Sequence, residues 1–243
     1  MNYNWNWGIF FEPSPEGTGT YLDMLLSGLR WTIVTAILAW LIALALGSLV
    51  GVARTLPSKT ANAIASAYVE FFRDIPLIVQ LFLWYFVLPE LLPRQAGLWL
   101  KQLPNAAFWT AFIGLGFYMS ARVAEQVRSG INALPRGQAM AGKALGLTTA
   151  QTYRCVLLPM AFRIILPPLT SEFLNTIKNT SVALTIGLLE LTGRARSMQE
   201  FSFQVFEAFT AATLLYLAVN IVVVTAMRYL ERRVAVPGYV AMK

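Results

Sequence analysis

Three long stretches without a single charged residue constrain this chain more than any other feature of its sequence. Residues 31–53, 102–121 and 208–227 contain no Asp, Glu, Lys or Arg. Each is close to the roughly 20 apolar residues with which a helix crosses the hydrocarbon core of a bilayer. Two further apolar stretches, 61–92 and 160–189, are long enough to cross but carry charged residues. We therefore predict an all-α integral membrane protein with five transmembrane helices.

The residue types that are rare or absent narrow the chemistry. The chain is 13% charged, whereas an ordinary soluble domain is about 25% charged. It has one Cys and no His, so a disulfide within the chain is excluded and the commonest zinc ligand and acid–base side chain are missing. We predict no metal site. No spacing singles out a catalytic set, so a membrane-embedded enzyme is a weaker alternative than a transporter or channel.

The positions of Lys and Arg predict how the chain is oriented, because cytoplasmic segments accumulate these residues. With the N-terminus outside, the inner side receives Arg54, Lys59, Arg128, Arg136, Lys143, Arg154, Arg228, Arg232, Arg233 and Lys243. Residues 1–23 contain Glu12, Glu16 and Asp23 but no Lys or Arg, and they are predicted to lie outside. The loop 128–159, between the third and fourth spans, is then cytoplasmic. We interpret the net charge of +7 mainly as a result of the membrane topology. Attraction to anionic lipid is a secondary explanation, and nucleic-acid binding is the weakest of the three.

The cytoplasmic loop contains a run of small residues that favours a docking element over a plain solvated connection. The run consists of Gln138, Ala139, Met140, Ala141, Gly142, Lys143, Ala144, Leu145 and Gly146. Small alanines allow another surface to approach closely, and Gly146 stands where a C-cap would end a short helix. The whole loop is about 30 residues long, well beyond the usual length of a connection.

Part of this run imitates a nucleotide-binding motif. Residues Gly137 to Lys143 satisfy G-x-x-x-x-G-K, but Ala144 occupies the place of the Ser or Thr that holds magnesium. A true phosphate-binding loop follows a buried strand, and no such strand is indicated before this motif. We expect this chain to bind no nucleotide, so any ATP that drives the protein is hydrolysed by another chain.

The loop resembles the signature of permease subunits of ATP-binding-cassette (ABC) importers. That signature reads E-A-A, three residues, G, nine residues, then I-x-L-P. With Gly146 as the anchor, 140–142 occupy the E-A-A place and 156–159, ending at Pro159, occupy I-x-L-P. Met140 replaces the acidic residue and Gly142 the second alanine, so a polar contact made by that acid in relatives would be missing or replaced here.

Other stretches extend the resemblance over nearly the full length. Residues 72–82, 124–138 and 167–184 are similar to the polar amino acid branch of these permeases. The opening 4–10 and the closing 231–238 most resemble a permease of bacterial glutamate/aspartate importers. Sister permeases for basic or amide amino acids share most of these motifs, so they remain an alternative.

The resemblance implies a type I importer permease fold, with residues 1–243 forming one domain in the bacterial inner membrane. It also implies a second homologous permease subunit, two ABC ATPase subunits that dock on the cytoplasmic loops, and a periplasmic substrate-binding protein. ATP and magnesium would be held by the ATPase, and this chain would bind no cofactor. The implied docking residues are those from Gln138 to Gly146 together with Pro159. An ion-coupled secondary amino acid transporter or channel is the remaining alternative.

Charged residues inside apolar spans are candidates for the substrate pathway, because a charge within the bilayer is costly unless it faces protein or water. Glu172, Asn175 and Lys178 are spaced three residues apart, which places them on a broad common face of a helix. A purely structural alternative is that Lys178 only neutralises Glu172.

Arg73 and Asp74 precede Pro76, where the missing N–H and the ring favour a bend. Backbone groups freed at a broken helix can bind the charged ends of an amino acid, so both residues are also pathway candidates. The alternative is that Glu70, Arg73 and Asp74 pair with one another near the cytoplasmic interface.

Overall fold

The computed structural model describes residues 3–15, 17 and 19–234. Within that part of the chain the regular structure is helical, and the one β feature is an isolated bridge between Pro13 and Thr20. The α-helices are α1 (Tyr21–Ala53), α2 (Lys59–Asp74), α3 (Leu77–Phe82), α4 (Leu88–Leu91), α5 (Arg94–Gln102), α6 (Ala106–Asn132), α7 (Arg136–Ala144), α8 (Thr149–Thr152), α9 (Leu158–Asn179), α10 (Leu191–Ser202) and α11 (Val205–Val234). Glu16, Lys243 and the motif residues 235–238 lie outside the described residues.

Three helical segments of the described chain are long and apolar enough to cross a membrane: α1, the continuous helix Thr149–Ile186, and α11. A fourth results if Lys59–Asp74 and Leu77–Leu91 are taken together as one bent span. The predicted span 102–121 lies mostly within α6, which begins at Ala106 and has 27 residues. The predicted crossing segments are therefore helical, and several helices extend well beyond the apolar stretch that predicted them.

The bend predicted at Pro76 is confirmed. Helix α2 ends at Asp74, Ile75 has extended backbone (φ −92°, ψ 127°), and α3 begins at Leu77. Proline disfavours helical backbone in the residue before it and has no N–H to continue the hydrogen bonding. Pro76 itself therefore accounts for the interruption of the helix.

Two five-residue π-helical turns occur in the described chain, and each is followed by a leucine and a proline. Leu83–Val87 precedes Pro89, and Tyr153–Leu157 precedes Pro159. A proline ring clashes with the carbonyl group four residues earlier, so a wider turn relieves the clash without ending the helix. Both helices consequently continue past their prolines.

The chain divides into two compact units, and the first consists of the described residues of Met1–Ala39, Pro76–Leu115 and Asn175–Val222. Its apolar core joins the N-terminal segment to α1, α10 and α11. The buried members include Ile9, Met24, Leu25, Leu191, Ala195, Met198 and Ala208. Two carboxylates, those of Glu190 and Glu207, are also fully buried in this unit.

Glu190 is accommodated because it caps the N-terminus of α10. Its carboxylate accepts hydrogen bonds from the backbone N–H groups of Thr192 at 3.0 Å and Gly193 at 2.9 Å. The Tyr216 hydroxyl donates a third hydrogen bond at 2.7 Å. A buried charge is tolerated only when it is hydrogen-bonded, and a helix N-terminus supplies donors with no other partner.

Glu207, in the first turn of α11, fastens the N-terminal segment. Its carboxylate accepts hydrogen bonds from the Tyr3 hydroxyl and, at 2.8 Å, from the backbone N–H of Asn6. Burial raises the pKa of the Tyr3 hydroxyl, and the Glu207 carboxylate raises it further. The described residues at the start of the 1–23 segment are therefore packed against a helix rather than forming a free tail.

The second unit consists of the described residues of Trp40–Ile75, Gly116–Leu174 and Val223–Lys243. Here α1 and α6 approach each other closely along two glycines. A Cβ added at Gly47 would lie 2.6 Å from the Ser120 carbonyl oxygen, and one at Gly51 would lie 2.7 Å from that of Ala124. Small residues let the backbones of membrane helices come into contact, as the G-x-x-x-G spacing of these glycines predicts.

Candidate functional site

The segment that carries the importer-like signature forms the nine-residue helix α7. Pro135 is its N-cap and Arg136 its first residue. Gly142 is the buried residue of this helix, and a Cβ added there would lie 3.1 Å from the Thr152 side chain. Glycine at this position of the signature therefore lets α7 rest closely on α8.

Gly146 ends the element as the sequence predicts. Its backbone is left-handed, with φ +76°. The Gly146 N–H donates to the Lys143 carbonyl at 3.0 Å, and the Leu147 N–H donates to the Gly142 carbonyl at 3.0 Å. This paired arrangement is a Schellman motif, which satisfies helix carbonyls that otherwise have no partner.

The connection between α6 and α9 contains more helix than the sequence predicts. Helix α6 continues to Asn132, and α8 already begins at Thr149. Thr148 and Gln151 form a reciprocal capping box at the start of α8. Pro159 consequently lies in the first turn of α9 and not in a loop. Most of the predicted 128–159 loop is thus helical, with short irregular stretches on either side of α7.

The outward face of α7 is exposed and largely apolar. Met140 is 65% exposed and Leu145 is 80% exposed. Ala141, Lys143 and Ala144 are exposed beside them, whereas Gln138 and Ala139 are half-buried. A compact apolar surface with one cation at its edge is typical of a site where another protein binds.

A hydrogen bond also connects Tyr153, the residue after α8, to the turn that follows α1. The Tyr153 hydroxyl donates to the Thr55 carbonyl at 2.7 Å, two residues after the end of α1. Because Tyr153 directly follows Thr152, on which Gly142 rests, α7 is linked to the ends of two long helices. These two contacts join α7, through α8, to the segments at the ends of both long helices.

Among the predicted pathway residues, Arg73 belongs to an ion cluster around Glu125. The Glu125 carboxylate lies 2.6 Å from Arg54, 3.0 Å from Arg128 and 3.6 Å from Arg73. Arg73 also lies 3.9 Å from Asp74, and both side chains are more than half exposed. Of the structural alternative, in which Glu70, Arg73 and Asp74 pair with one another, the contact between Arg73 and Asp74 is present. Glu125 itself was not expected as a partner.

Glu172 has an ion-pair partner that sequence analysis missed. Its Oε2 lies 3.6 Å from Nη1 of Arg122 on α6, and the Arg122 guanidinium lies 5.7 Å from the centre of the Tyr118 ring. Arg122 directly follows the charge-free stretch 102–121, and this position was the one sequence feature that could have marked it as a candidate. Farther along α9, Asn175 is half-buried, and Lys178 is exposed in the last turn.

Long apolar helices and a capped helix with an exposed apolar face are the features expected of a membrane transport subunit. The chain belongs to the family of binding-protein-dependent transport system inner membrane components, whose model matches residues 43–236. It is therefore an inner-membrane transport component and not an enzyme. The family description also places it in a system that depends on a binding protein.

Individual relatives support the same family. The chain is 46% identical over 241 residues to the glutamate/aspartate import permease protein GltJ of Escherichia coli, covering 98% of each chain. It is 32% identical over 215 residues to the glutamine transport system permease protein GlnP of the same organism, covering 88% of this chain and 94% of the relative.

Solved structures share the fold. A chain of an amino acid ABC transporter crystallised with histidines has a TM-score of 0.75 and 32% identity, and the match covers 88% of this chain and 95% of that one. A chain of the MetNI methionine ABC transporter, captured facing inward, also has a TM-score of 0.75. At 20% identity over 92% of this chain and 100% of that one, the second likeness concerns the fold alone.

Proposed function

We propose that this protein is a permease subunit of an ATP-driven importer that moves glutamate and aspartate across the inner membrane. The observation that carries the proposal is the 46% identity to GltJ over 98% of both chains. Identity to the glutamine permease GlnP is 32% over a shorter match. A permease of the same family for amide or basic amino acids is the competing assignment.

The proposed topology has five spans, with the N-terminus outside and the connection that contains α7 in the cytoplasm. Helix α6 supplies the remaining span, since its first 16 residues, 106–121, are free of charge. The excess of Lys and Arg in the segments assigned to the inner side supports this orientation. Membrane lipid then surrounds the spans, and no nucleic acid takes part.

We propose that an ABC ATPase subunit docks on α7, with contacts from Gln138 to Gly146. The exposed apolar side chains of Met140 and Leu145 suit such a contact. Met140 occupies the usually acidic position, so the contact here is apolar rather than ionic. Pro159, which is exposed in the first turn of α9, is also proposed as a docking residue. ATP and magnesium are bound by the ATPase.

The remaining proposed partners are a second homologous permease and a periplasmic binding protein that delivers the amino acid. Substrate contact is proposed for Glu172, Asn175 and Lys178, and less strongly for Arg73 and Asp74. Glu172 has the best support, because it is a nearly buried carboxylate within a long apolar helix. Arg73 and Asp74 have the weakest, because ion pairs already account for their charges.

Reconstitution of the complete complex tests the proposal. Proteoliposomes that contain both permeases and the ATPase, with binding protein outside and ATP inside, should accumulate radiolabelled glutamate or aspartate. Accumulation of glutamine or lysine instead would identify the competing permease assignment. Uptake by this chain alone under an ion gradient, without an ATPase, would overturn the importer mechanism.

Docking is tested by Ala141→Asp, which places a charge on the exposed face of α7. An unpaired charge buried in an interface costs several kcal/mol, so ATP hydrolysis should become uncoupled from uptake. Ala96→Asp, at an exposed position of α5, is the matched control and should leave coupling unchanged. Normal coupling in the Ala141→Asp complex would refute docking at this face.

Lys178→Met tests substrate contact, because it removes the charge and keeps much of the side-chain length. Uptake should be lost or change its substrate preference while the complex still assembles. Lys101→Met is the control, since Lys101 lies on α5 in an exposed ion pair with Glu90. Unchanged uptake kinetics would remove Lys178 from the pathway.

A further inference from the structure

We infer that Arg122 determines the preference of the permease for acidic amino acids by binding the side-chain carboxylate of the substrate. The inference rests on the proposed function and adds a residue to the proposed pathway. Arg122 lies on α6 beside Glu172 of α9, and both belong to the second compact unit. It is a cation within a helix proposed to span the membrane, where such a residue calls for a specific role.

The contact between Arg122 and Glu172 is loose enough to admit a third group. The two side chains approach to 3.6 Å, whereas a charge-assisted hydrogen bond is about 2.7–2.9 Å long. The Arg122 side chain is 42% exposed, although its partner is only 11% exposed. The carboxylate is thus held by the protein, while the guanidinium remains accessible to a ligand.

Arg122 differs from the three arginines that surround Glu125. Arg54, Arg73 and Arg128 all lie within 3.6 Å of Glu125, which is one turn farther along α6. Those three arginines already share a carboxylate. Arg122 points to Glu172 instead and lies beside the face of Tyr118, which orients a guanidinium without neutralising it.

The side-chain carboxylate is the one group that distinguishes an acidic amino acid from its amide. A guanidinium presents a planar set of donors that binds a carboxylate through two parallel hydrogen bonds. Arg122 can therefore hold the side-chain carboxylate of glutamate. Glutamine has the same shape but no second carboxylate, so it would leave the guanidinium without an anion. The selection is made between two molecules of nearly equal size, by charge alone.

Equilibrium binding to the complete membrane complex in lipid nanodiscs tests this role. The binding protein is omitted because it selects its own ligand, and radiolabelled glutamate and glutamine are measured separately. Arg122→Gln should weaken glutamate binding by about tenfold to a hundredfold, the range for a hydrogen bond to a charged group, and glutamine binding by less than about threefold. Arg122→Lys, which keeps the charge but not the two parallel bonds, should fall between.

Arg196→Gln is the matched control, because Arg196 forms an exposed ion pair with Glu200 on α10. It should bind both ligands as the unaltered complex does. A structural role for Arg122 would weaken glutamate and glutamine binding equally, and that result would overturn the inference. Equal glutamate binding by Arg122→Gln and unaltered complexes would overturn it as well.

The failure of the inference is distinguishable from the failure of the proposed function. If the unaltered complex binds glutamine or lysine but no glutamate, the proposed substrate is wrong and the role of Arg122 falls with it. If the unaltered complex prefers glutamate and Arg122→Gln keeps that preference, only the role of Arg122 is refuted. Co-purification of the ATPase with each variant establishes that the compared complexes are assembled.

Discussion

Replacing Gly146 with alanine should loosen the end of α7 by an amount that the backbone alone determines. Gly146 has φ +76°, and no heavy atom lies within 4 Å of the place where a Cβ would be added. The substitution therefore causes no clash, and its cost is the left-handed conformation, about 1–2 kcal/mol for an L-residue with a side chain. That cost shifts the equilibrium between the capped and frayed ends of α7 by about 5- to 30-fold.

Two further substitutions at Gly146 and one at Gly137 make the series quantitative. Asparagine tolerates left-handed backbone and should cost less than alanine. Proline fixes φ near −65° and removes the N–H that donates to the Lys143 carbonyl at 3.0 Å, so it should cost about 3 kcal/mol or more. Gly137→Ala is the control, because that position is also open but has no positive φ. It should be neutral or stabilise α7 by up to about 1 kcal/mol.

Hydrogen exchange detected by mass spectrometry measures the loosening, and uptake per ATP hydrolysed measures its effect on transport. The Leu147 amide, which donates to the Gly142 carbonyl at 3.0 Å, should lose protection by the calculated factor in Gly146→Ala. Coupling should decline in the order Gly, Asn, Ala, Pro. If Gly146→Ala and Gly137→Ala are indistinguishable in both measurements, the reasoning about this cap is wrong.

Two other predictions concern stability, measured as the thermal midpoint of the detergent-solubilised protein. Gly47→Val should destabilise the contact between α1 and α6 by about 1–3 kcal/mol, because a Cβ would lie 2.6 Å from the Ser120 carbonyl oxygen. The control Ala45→Val, at an exposed position of α1, should change the midpoint little. Equal midpoints for the two variants would contradict the close approach of the helices. Glu190→Ala should lower the free energy of unfolding by about 3 kcal/mol, because it leaves buried donors without an acceptor. The control Glu200→Ala removes an exposed ion pair and should lower it by less than about 1 kcal/mol. An equal loss of stability in both variants would show that the buried cap is unimportant.

Features that depend on local backbone chemistry could be predicted from the sequence. The bend before Pro76 and the helix end at Gly146 result from the effects of proline and glycine on their own backbone and their immediate neighbours. The presence of the helices was indicated by charge-free stretches, but their ends were not. Helix α1 starts at Tyr21, about three turns before the stretch 31–53, because a helix continues beyond the hydrocarbon core once polar residues such as Asp23 and Arg30 are outside it.

The length of the connection around α7 was overestimated although a readable signal was present. Thr148 and Gln151 have the spacing of a capping box, which marks the start of a helix. This capping box lies within the segment that carries the importer-like signature. It marks the start of α8 at Thr149, ten residues before Pro159, where the predicted loop ended.

The pairing of Arg122 with Glu172 could not be predicted, because it depends on which faces of α6 and α9 meet. The sequence places Arg122 three residues from Glu125, a spacing at which the two side chains of a helix can pair. In the structure Glu125 is instead surrounded by Arg54, Arg73 and Arg128. The choice among these partners is set by helix packing, for which a single sequence carries no direct signal.

The π-helical turn Tyr153–Leu157 contains one extra residue compared with a regular α-helix, just before α9. Each residue of an α-helix advances by about 100° around its axis, and a π turn absorbs one extra residue without disturbing the phase of the helical residues beyond it. A one-residue deletion inside this turn should therefore regularise the helix and leave Glu172 opposite Arg122. The same deletion after Pro159 would swing Glu172 about 100° away, so tolerance to shortening should change abruptly within a few positions.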